Sequence, residues 1–187
     1  MFTNIQQTGL AKIRVLAFAI WATLSVGLTA CEQYADIASP QVYDSSNIRF
    51  SYPDNWQVTE DASKQGFRYI FIESPGDAIF IIQIYDNDIA IGLGDFASNF
   101  SAAANDETAY VNVSDSIFED IQKTGFPMAI RERFSLSLAG ETVPHIRDYY
   151  IDEHGSHIVY FIGQVSTECL DMVAPGFDLI LSSFRVA

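Results

Sequence analysis

Apolar and polar residues alternate in short runs from Val42 onward, the pattern of strands with one buried face. Ile48-Arg49-Phe50-Ser51-Tyr52 is one such run, and Pro53-Asp54-Asn55 supplies turn chemistry before Trp56. Residues 67–73 are aromatic and β-branched, and residues 78–85 (AIFIIQIY) are apolar at nearly every position. A strand of the latter kind must be covered on both faces. The period then lengthens. Phe96, Phe100 and Ala103 share one helical face within residues 95–104, with Asp95 placed to cap its start. Residues 105–123 are acidic and without a clean period, and a loop with a short strand near 117–121 is expected there.

Two hairpins follow. Ala139-Gly140 separates residues 131–138 from 141–151, and a regular antiparallel register sets Arg131 opposite Asp148, Glu132 opposite Arg147 and Leu136 opposite Val143. Two opposite-charge pairs and one apolar pair support that register. A second turn at His154-Gly155 sets Tyr149 against Tyr160, Ile151 against Ile158 and Asp152 against His157. Residues 158–162 are apolar on both faces and read as a second central strand. After Pro175-Gly176, the spacing of Phe177, Ile180, Leu181 and Phe184 predicts a short terminal helix with Pro175 near its start. The fold class is α+β: a mainly antiparallel central sheet covered by helices on both faces.

The chain begins differently. Residues 1–14 are polar and end on Lys12 and Arg14, and residues 15–27 (VLAFAIWATLSVG) are apolar without a charge. Such a run is short for a membrane-spanning helix, which needs about 20 residues, but suits the hydrophobic part of a secretory signal. Leu28-Thr29-Ala30-Cys31 follows, and this segment resembles the lipobox of bacterial lipoproteins. The resemblance implies that residues 1–30 are removed as a signal peptide. Cys31 then carries a diacylglyceryl thioether and usually an N-acyl (palmitate-type) chain, giving a stable anchor. It places the protein at a bacterial cell envelope, lipid-anchored to the inner or the outer membrane, with its domain in the periplasm or outside. Residues 31–41 are then the lipidated end and a tether, and residues 42–187 the domain. Lipidation of Cys31 would leave Cys169 as a small core thiol and the chain without a disulfide.

Charge narrows the partners. The 187 residues hold 10 Lys+Arg against 24 Asp+Glu; from Cys31 on, eight basic residues face 24 acidic ones, a formal −16. A phosphate backbone needs clustered cations, so nucleic acid is excluded as a partner, as is simple electrostatic adhesion to anionic lipid.

Asn47-Ile-Arg-Phe-Ser-Tyr-Pro-Asp-Asn-Trp56, two apolar strands and a terminal Phe177-Asp-Leu-Ile-Leu-Ser-Ser-Phe-Arg185 make a frame spanning most of residues 42–185. It resembles the PsbP-like superfamily, which includes bacterial DcrB-type envelope proteins and the extrinsic subunit of photosystem II. The similar elements are Phe50, Tyr52, Pro53 and Trp56, and the helix ending in Ser183-Phe184. The resemblance implies an α-β-α sandwich in a family of mostly non-catalytic accessory proteins. Physically, Pro53 fixes φ for a turn and Trp56 closes one end of the core.

Motifs for chemistry are sparse. His154 and His157 beside Asp152 and Glu153 offer zinc-type ligands, but the expected hairpin splits them and favours a cross-strand Asp152–His157 pair, so no metal and no cofactor is assigned. Asp86-Asn87-Asp88 lacks the Gly of a calcium loop, and Gly92-Leu93-Gly94 lacks the third Gly of a dinucleotide site. No Gly-x-Ser-x-Gly or His-Glu-x-x-His is present. Two Asn-x-Ser sequons, at Asn99 and Asn112, have no role in a bacterial lipoprotein. His145, opposite Phe134, reads as a satisfied histidine at the edge of the core.

The expectation is a non-enzymatic envelope accessory protein, held to the bilayer through acylated Cys31, that docks a protein partner. Arg131 and Arg133, with Ser135 and Ser137, form the candidate docking surface, a small basic stripe on an acidic molecule. Pairing of these arginines with nearby acids, Arg131 with Asp148, competes with that role. A divalent-cation binder and an envelope hydrolase with an unrecognised site are the alternatives.

Overall fold

The computed structural model describes residues 33–107, 112–138 and 140–186. A seven-stranded sheet, antiparallel throughout, has the order β3-β4-β5-β9-β8-β7-β6. Its strands are β3 (Gln57–Lys64), β4 (Phe67–Glu73), β5 (Ile79–Asp86), β6 (Asn112–Ile121), β7 (Met128–Leu138), β8 (Glu141–His154) and β9 (His157–Ser166). A second, three-stranded sheet has the order β1-β2-β10, formed by β1 (Gln41–Ser45), β2 (Ile48–Tyr52) and β10 (Arg185–Val186). Helix α1 spans Leu93–Glu107 and helix α2 spans Leu170–Ser183.

The alternation of β5 and β9 explains the layering. Phe80, Ile82 and Ile84, with Val159, Phe161 and Val165, point into one core, shared with Ile48 and Phe50 of β2 and with Val173, Phe177 and Ile180 of α2. Ile81, Tyr160 and Ile162 point the other way, onto Leu93, Phe96 and Ala97 of α1. One helix therefore lies on each face of the large sheet. The expected sandwich needs one correction: on the α2 face the small sheet shares the covering, because β1 and β2 pair with each other and not with the main sheet.

The first hairpin register holds at every predicted pair, with Arg131 opposite Asp148, Glu132 opposite Arg147 and Leu136 opposite Val143. The second is shifted. Tyr149 faces Ile162, Ile151 faces Tyr160, and His154 faces His157. The loop is Gly155-Ser156, because the positive φ of 62° at Gly155 belongs at the first of the two loop positions. Asp152 therefore does not face His157; it faces Val159. A shift by two residues keeps each side chain on its expected face, so the burial pattern survives.

Three element boundaries also move. Helix α1 begins at Leu93, so Asp95 sits in its first turn and is not its cap; there it still favours the helix dipole. Helix α2 begins at Leu170, after a 3-10 turn over Thr167–Cys169, so Pro175 lies inside it. The exposed position of Pro175 makes this tolerable, since the carbonyl four residues earlier, on exposed Asp171, remains open to water. Strand β6 is longer than the expected 117–121, and a bulge between Ser114 and Ile117 breaks its alternation.

Trp56 closes the core as expected. The Pro53–Trp56 turn is held by Trp56 N–H donating to the Pro53 carbonyl at 3.0 Å, and the indole meets Phe177 edge-on at 5.6 Å. Gly176 makes this approach possible: a Cβ there would lie 2.8 Å from both Pro53 Cγ and Trp56 Cζ2. Cys169 is buried, but it is disulfide-bonded, which corrects the expectation of a thiol and of a chain without a disulfide. The chain's other cysteine, Cys31, lies outside the described residues. Its sulfur can enter a thioether or a disulfide, not both.

Residues 33–40 are not a loose tether. Ala35 is buried and its N–H donates to the Met172 carbonyl at 3.0 Å. Asn55 bridges the segment, accepting from Asp36 N–H and donating to the Tyr34 carbonyl, both at 2.9 Å.

The Gly176→Ala variant tests the close approach. Helix propensity favours Ala by about 1 kcal/mol, while overpacking against two ring systems costs about 1–3 kcal/mol. A net loss of stability in urea unfolding is expected. Gly94→Ala in α1, where a Cβ meets nothing within 4 Å, should gain stability instead.

Candidate functional site

The outer strands of the large sheet carry the candidate docking surface. Arg131, Arg133, Ser135 and Ser137 share the β7 face that continues the α2 side of the sheet. Neither arginine stands alone. Arg131 forms a bidentate pair with Asp148, Nε to Oδ1 and Nη2 to Oδ2, both at 2.7 Å. The Asp148 carboxylate holds the guanidinium pKa above its ordinary value. Tyr150 O–H donates to the same carboxylate at 3.2 Å, and burial first, then Asp148, pushes the phenol's pKa up. Arg133 Nε reaches Glu119 Oε1 at 2.8 Å, with its side chain about half exposed (51%). The stripe is thus arginine side chains interleaved with carboxylates, and its charge is compensated locally. Cys31, the lipidation candidate, lies outside the described residues.

Behind this stripe, on the α1 side, lies a polar cluster whose Glu132–Arg147 pair the hairpin register predicts but whose burial and further partners it does not. Glu132 is fully buried (0%), yet every one of its bonds is charge-assisted. It accepts from Ser101 Oγ at 2.5 Å, Ser116 Oγ at 2.8 Å, Tyr149 O–H at 2.7 Å and Arg147 Nη1 at 2.9 Å. Arg147 donates further to Gln164 Oε1 at 2.7 Å, and its guanidinium lies over the Phe134 ring at 4.6 Å. One carboxylate so joins α1, β6, β7 and β8, and its partner arginine reaches β9. The signal was present: Ile130-x-Glu132-x-Phe134 places Glu132 on a face whose other members are apolar.

At one end of the sheet, the turns form an open cleft of about 750 Å³. Ser46 and Asn47 of the β1–β2 turn, Gly66, Arg68, Asp86, Glu153 and His157 line it. Arg68 has all five donors engaged: Asp61 takes two, Tyr43 O–H one, and the Ser45 and Ser46 carbonyls the others. This arginine ties the small sheet to β3 and β4, and its hydrogen bonds hold the Asp61 carboxyl below the usual range.

The structure brings His154 and His157 opposite each other but gives them different acids. His154 Nε2 lies 3.1 Å from Asp152 Oδ2, outside hydrogen-bonding geometry, with its ring edge-on to Phe184. His157 Nε2 lies 3.6 Å from Asp86 Oδ1, so the expected Asp152–His157 pair is replaced. Among the described residues no group of three or more His, Cys, Asp and Glu side chains is arranged to hold a metal. His145 sits against Phe134 and shares a 3.0 Å hydrogen bond between Nδ1 and the Val143 carbonyl, a satisfied core-edge histidine. Among the described residues no helix is long and apolar enough to cross a membrane.

This arrangement of strands and helices is a PsbP-like fold. Cyanobacterial PsbP (CyanoP) from Synechocystis sp. PCC 6803 is similar over 86% of this chain and 99% of its own, at 19% identity and a TM-score of 0.52. LpqN, a protein involved in cell envelope biogenesis of Mycobacterium tuberculosis, aligns over 80% of this chain and 90% of its own, with 14% identity and a TM-score of 0.40. The Saccharomyces cerevisiae Ran-binding protein Mog1p covers 79% and 95%, with 8% identity and a TM-score of 0.46. No protein-family model and no curated protein matches the sequence.

Four variants probe these clusters. Removing one partner of the buried pair, by Glu132→Gln or Arg147→Met, should cost about 3–5 kcal/mol in urea unfolding, and the joint Glu132→Leu/Arg147→Met change should recover little of it, because the buried Ser101 and Tyr149 hydroxyls lose their acceptor. The Asp61 carboxyl has its pKa lowered on folding, so its contribution is present above the ordinary value of 3.8 and lost as pH falls through the folded value. Asp61→Asn should therefore flatten the acid limb of the stability profile without shifting the alkaline limb.

Proposed function

We propose that this chain is a lipid-anchored accessory protein of a bacterial cell envelope, whose PsbP-like domain docks a protein partner and performs no catalysis. One observation carries the docking reading. β5 and β9 spend both of their faces on packing, so chemistry is left to the outer strands and the turn ends. There the charged side chains pair with one another, as in Arg131–Asp148 and Arg133–Glu119, and do not converge on an enclosed pocket. The fold likeness to CyanoP supports an accessory role. Leu28-Thr29-Ala30-Cys31, with its charged start and short apolar run, supports the anchor and an envelope location; the disulfide at buried Cys169 speaks against it, since Cys31 is the chain's other cysteine.

The stripe on β7 is the proposed contact. Paired arginines at a rim still set orientation and association rate when a partner offers complementary charge. Reversing both, as Arg131→Glu/Arg133→Glu, would gather four acids on one patch, so partner recovery from crosslinked membranes should fall several-fold while the fold is retained. Unchanged recovery would remove the stripe from the docking surface, and substrate turnover by the purified domain would refute the non-catalytic reading.

For the anchor, mass spectrometry of the peptide starting at Cys31 is expected to show a diacylglyceryl thioether, and Cys31→Ser should abolish lipid labelling and membrane retention. A peptide continuous through Leu28 to Cys31, joined to Cys169 by a disulfide, would overturn it.

A further inference from the structure

The large sheet ends on two edge strands, and they are finished differently. Among the described residues, β3 pairs along its length with β4 alone and β6 with β7 alone. In an antiparallel ladder alternate residues turn their N–H and C=O groups away from the neighbour, so an edge offers a row of main-chain donors and acceptors. Native edges are blunted by polar and charged side chains. β3 follows that rule. It carries no exposed large apolar side chain, and its Glu60 and Asp61 are tied to Tyr69 and Arg68 of β4, with Tyr43 of the small sheet also reaching Asp61.

β6 breaks it. Ile117 is 63% exposed and Phe118 41%, two adjacent large apolar side chains on one edge strand. The register puts Phe118 opposite Glu132 and Ile117 opposite Arg133, so they stand on opposite faces of the sheet. The next two residues, Glu119 and Asp120, are exposed and acidic, again one on each face. A second copy of the chain fits this edge poorly. β6 holds Asp115, Glu119 and Asp120 and no Lys or Arg, and the whole chain is formally −14. An antiparallel β6–β6 ladder would set an acidic strand against an acidic strand and bring two like-charged molecules together.

We propose that the β6 edge takes an extended segment of a partner protein as an added strand, with two adjacent apolar residues against Phe118 and Ile117 and two basic residues against Asp120 and Glu119. Main-chain hydrogen bonds give such a contact its affinity, and the side chains opposite select the sequence. Charge complementarity names the occupant: an acidic edge on an acidic molecule draws a basic strand and repels its own kind. The edge is also held in place. Ser116, one residue before Ile117, donates to buried Glu132 at 2.8 Å, which fixes β6 at the bulge between Ser114 and Ile117. A strand already ordered loses little freedom when another is added to it. Neither the β7 arginines nor a lipid anchor is needed for this contact.

The test titrates the full chain with the end-blocked peptide Thr-Lys-Lys-Val-Ile-Thr-Thr. In antiparallel addition its Lys-Lys falls opposite Asp120 and Glu119, and its Val-Ile opposite Phe118 and Ile117. Amide hydrogen exchange reads which strand gains protection. The expected result is new protection in β6 and none in β3, with binding of Thr-Glu-Glu-Val-Ile-Thr-Thr weaker by about tenfold. Ile117→Thr/Phe118→Thr changes exposed positions and keeps strand propensity, so it should weaken the Lys peptide by a similar factor with the unfolding midpoint unchanged. The Lys peptide N-methylated at both Val and Ile keeps its charge but loses main-chain donors in either register, and should leave β6 unprotected. Absence of β6 protection, equal binding of the Glu peptide, or equal binding of the N-methylated peptide overturns the proposal. Protection of β6 without peptide, in a chain that sediments as a dimer, puts a second copy on the edge and overturns the basic occupant. Partner recovery through the β7 arginines is read separately, by the crosslinking experiment, and survives any of these results.

Discussion

Strand β5 has apolar side chains on both faces, and a strand of that composition cannot leave either face in water. Everything else in the architecture follows from covering it. Helix α1 packs on Ile81 and its neighbours, while α2 and the small sheet pack on Phe80, Ile82 and Ile84. β9 pairs with β5 along its whole length and is used the same way. The centre of the sheet is therefore committed to stability, and the edges and turn ends carry what remains for recognition.

The buried Glu132–Arg147 pair does for the outer sheet what apolar packing does for its centre. A carboxylate fully removed from water is tolerable only if its lone pairs are filled, and here four donors from four elements fill them. The same requirement makes the cluster specific. Ser101 must come from α1 and Ser116 from β6, so the helix cannot slide along the sheet without stranding the charge. The exposed face of the same strands is built on the opposite principle, with Arg133 and Glu119 paired in solvent, where such pairs add little stability and remain open to exchange with a partner.

The N-terminal segment is part of the fold. Its reading as a tether came from its lack of periodicity and from Ser39-Pro40, features that a docked extended segment shares with a loose one. What distinguishes them is a partner elsewhere in the chain: Asn55, in the turn that Pro53 sets up, bonds the backbone on both sides of Ala35. A tight turn and a docked terminus therefore support each other, and Gly176 permits the helix to approach them both.

Local pattern alone determined strands β2, β4, β5, β7, β8 and β9, the doubly buried centre, the α1 face of Phe96 and Phe100, and the first hairpin register, because each depends on spacing within a few residues and on cross-strand charge. The register of the second hairpin did not follow, since His154-Gly155 and Gly155-Ser156 are both plausible loops until β9 must also pair with β5. The start of α2 was hidden by Pro175, whose tolerance depends on which side of the helix faces water. The burial of Glu132, the docking of residues 33–40 and the disulfide at Cys169 were decided only by the tertiary structure. Each depends on groups far apart in the chain, and a polar residue or a short segment carries no local mark of the partner that will satisfy it.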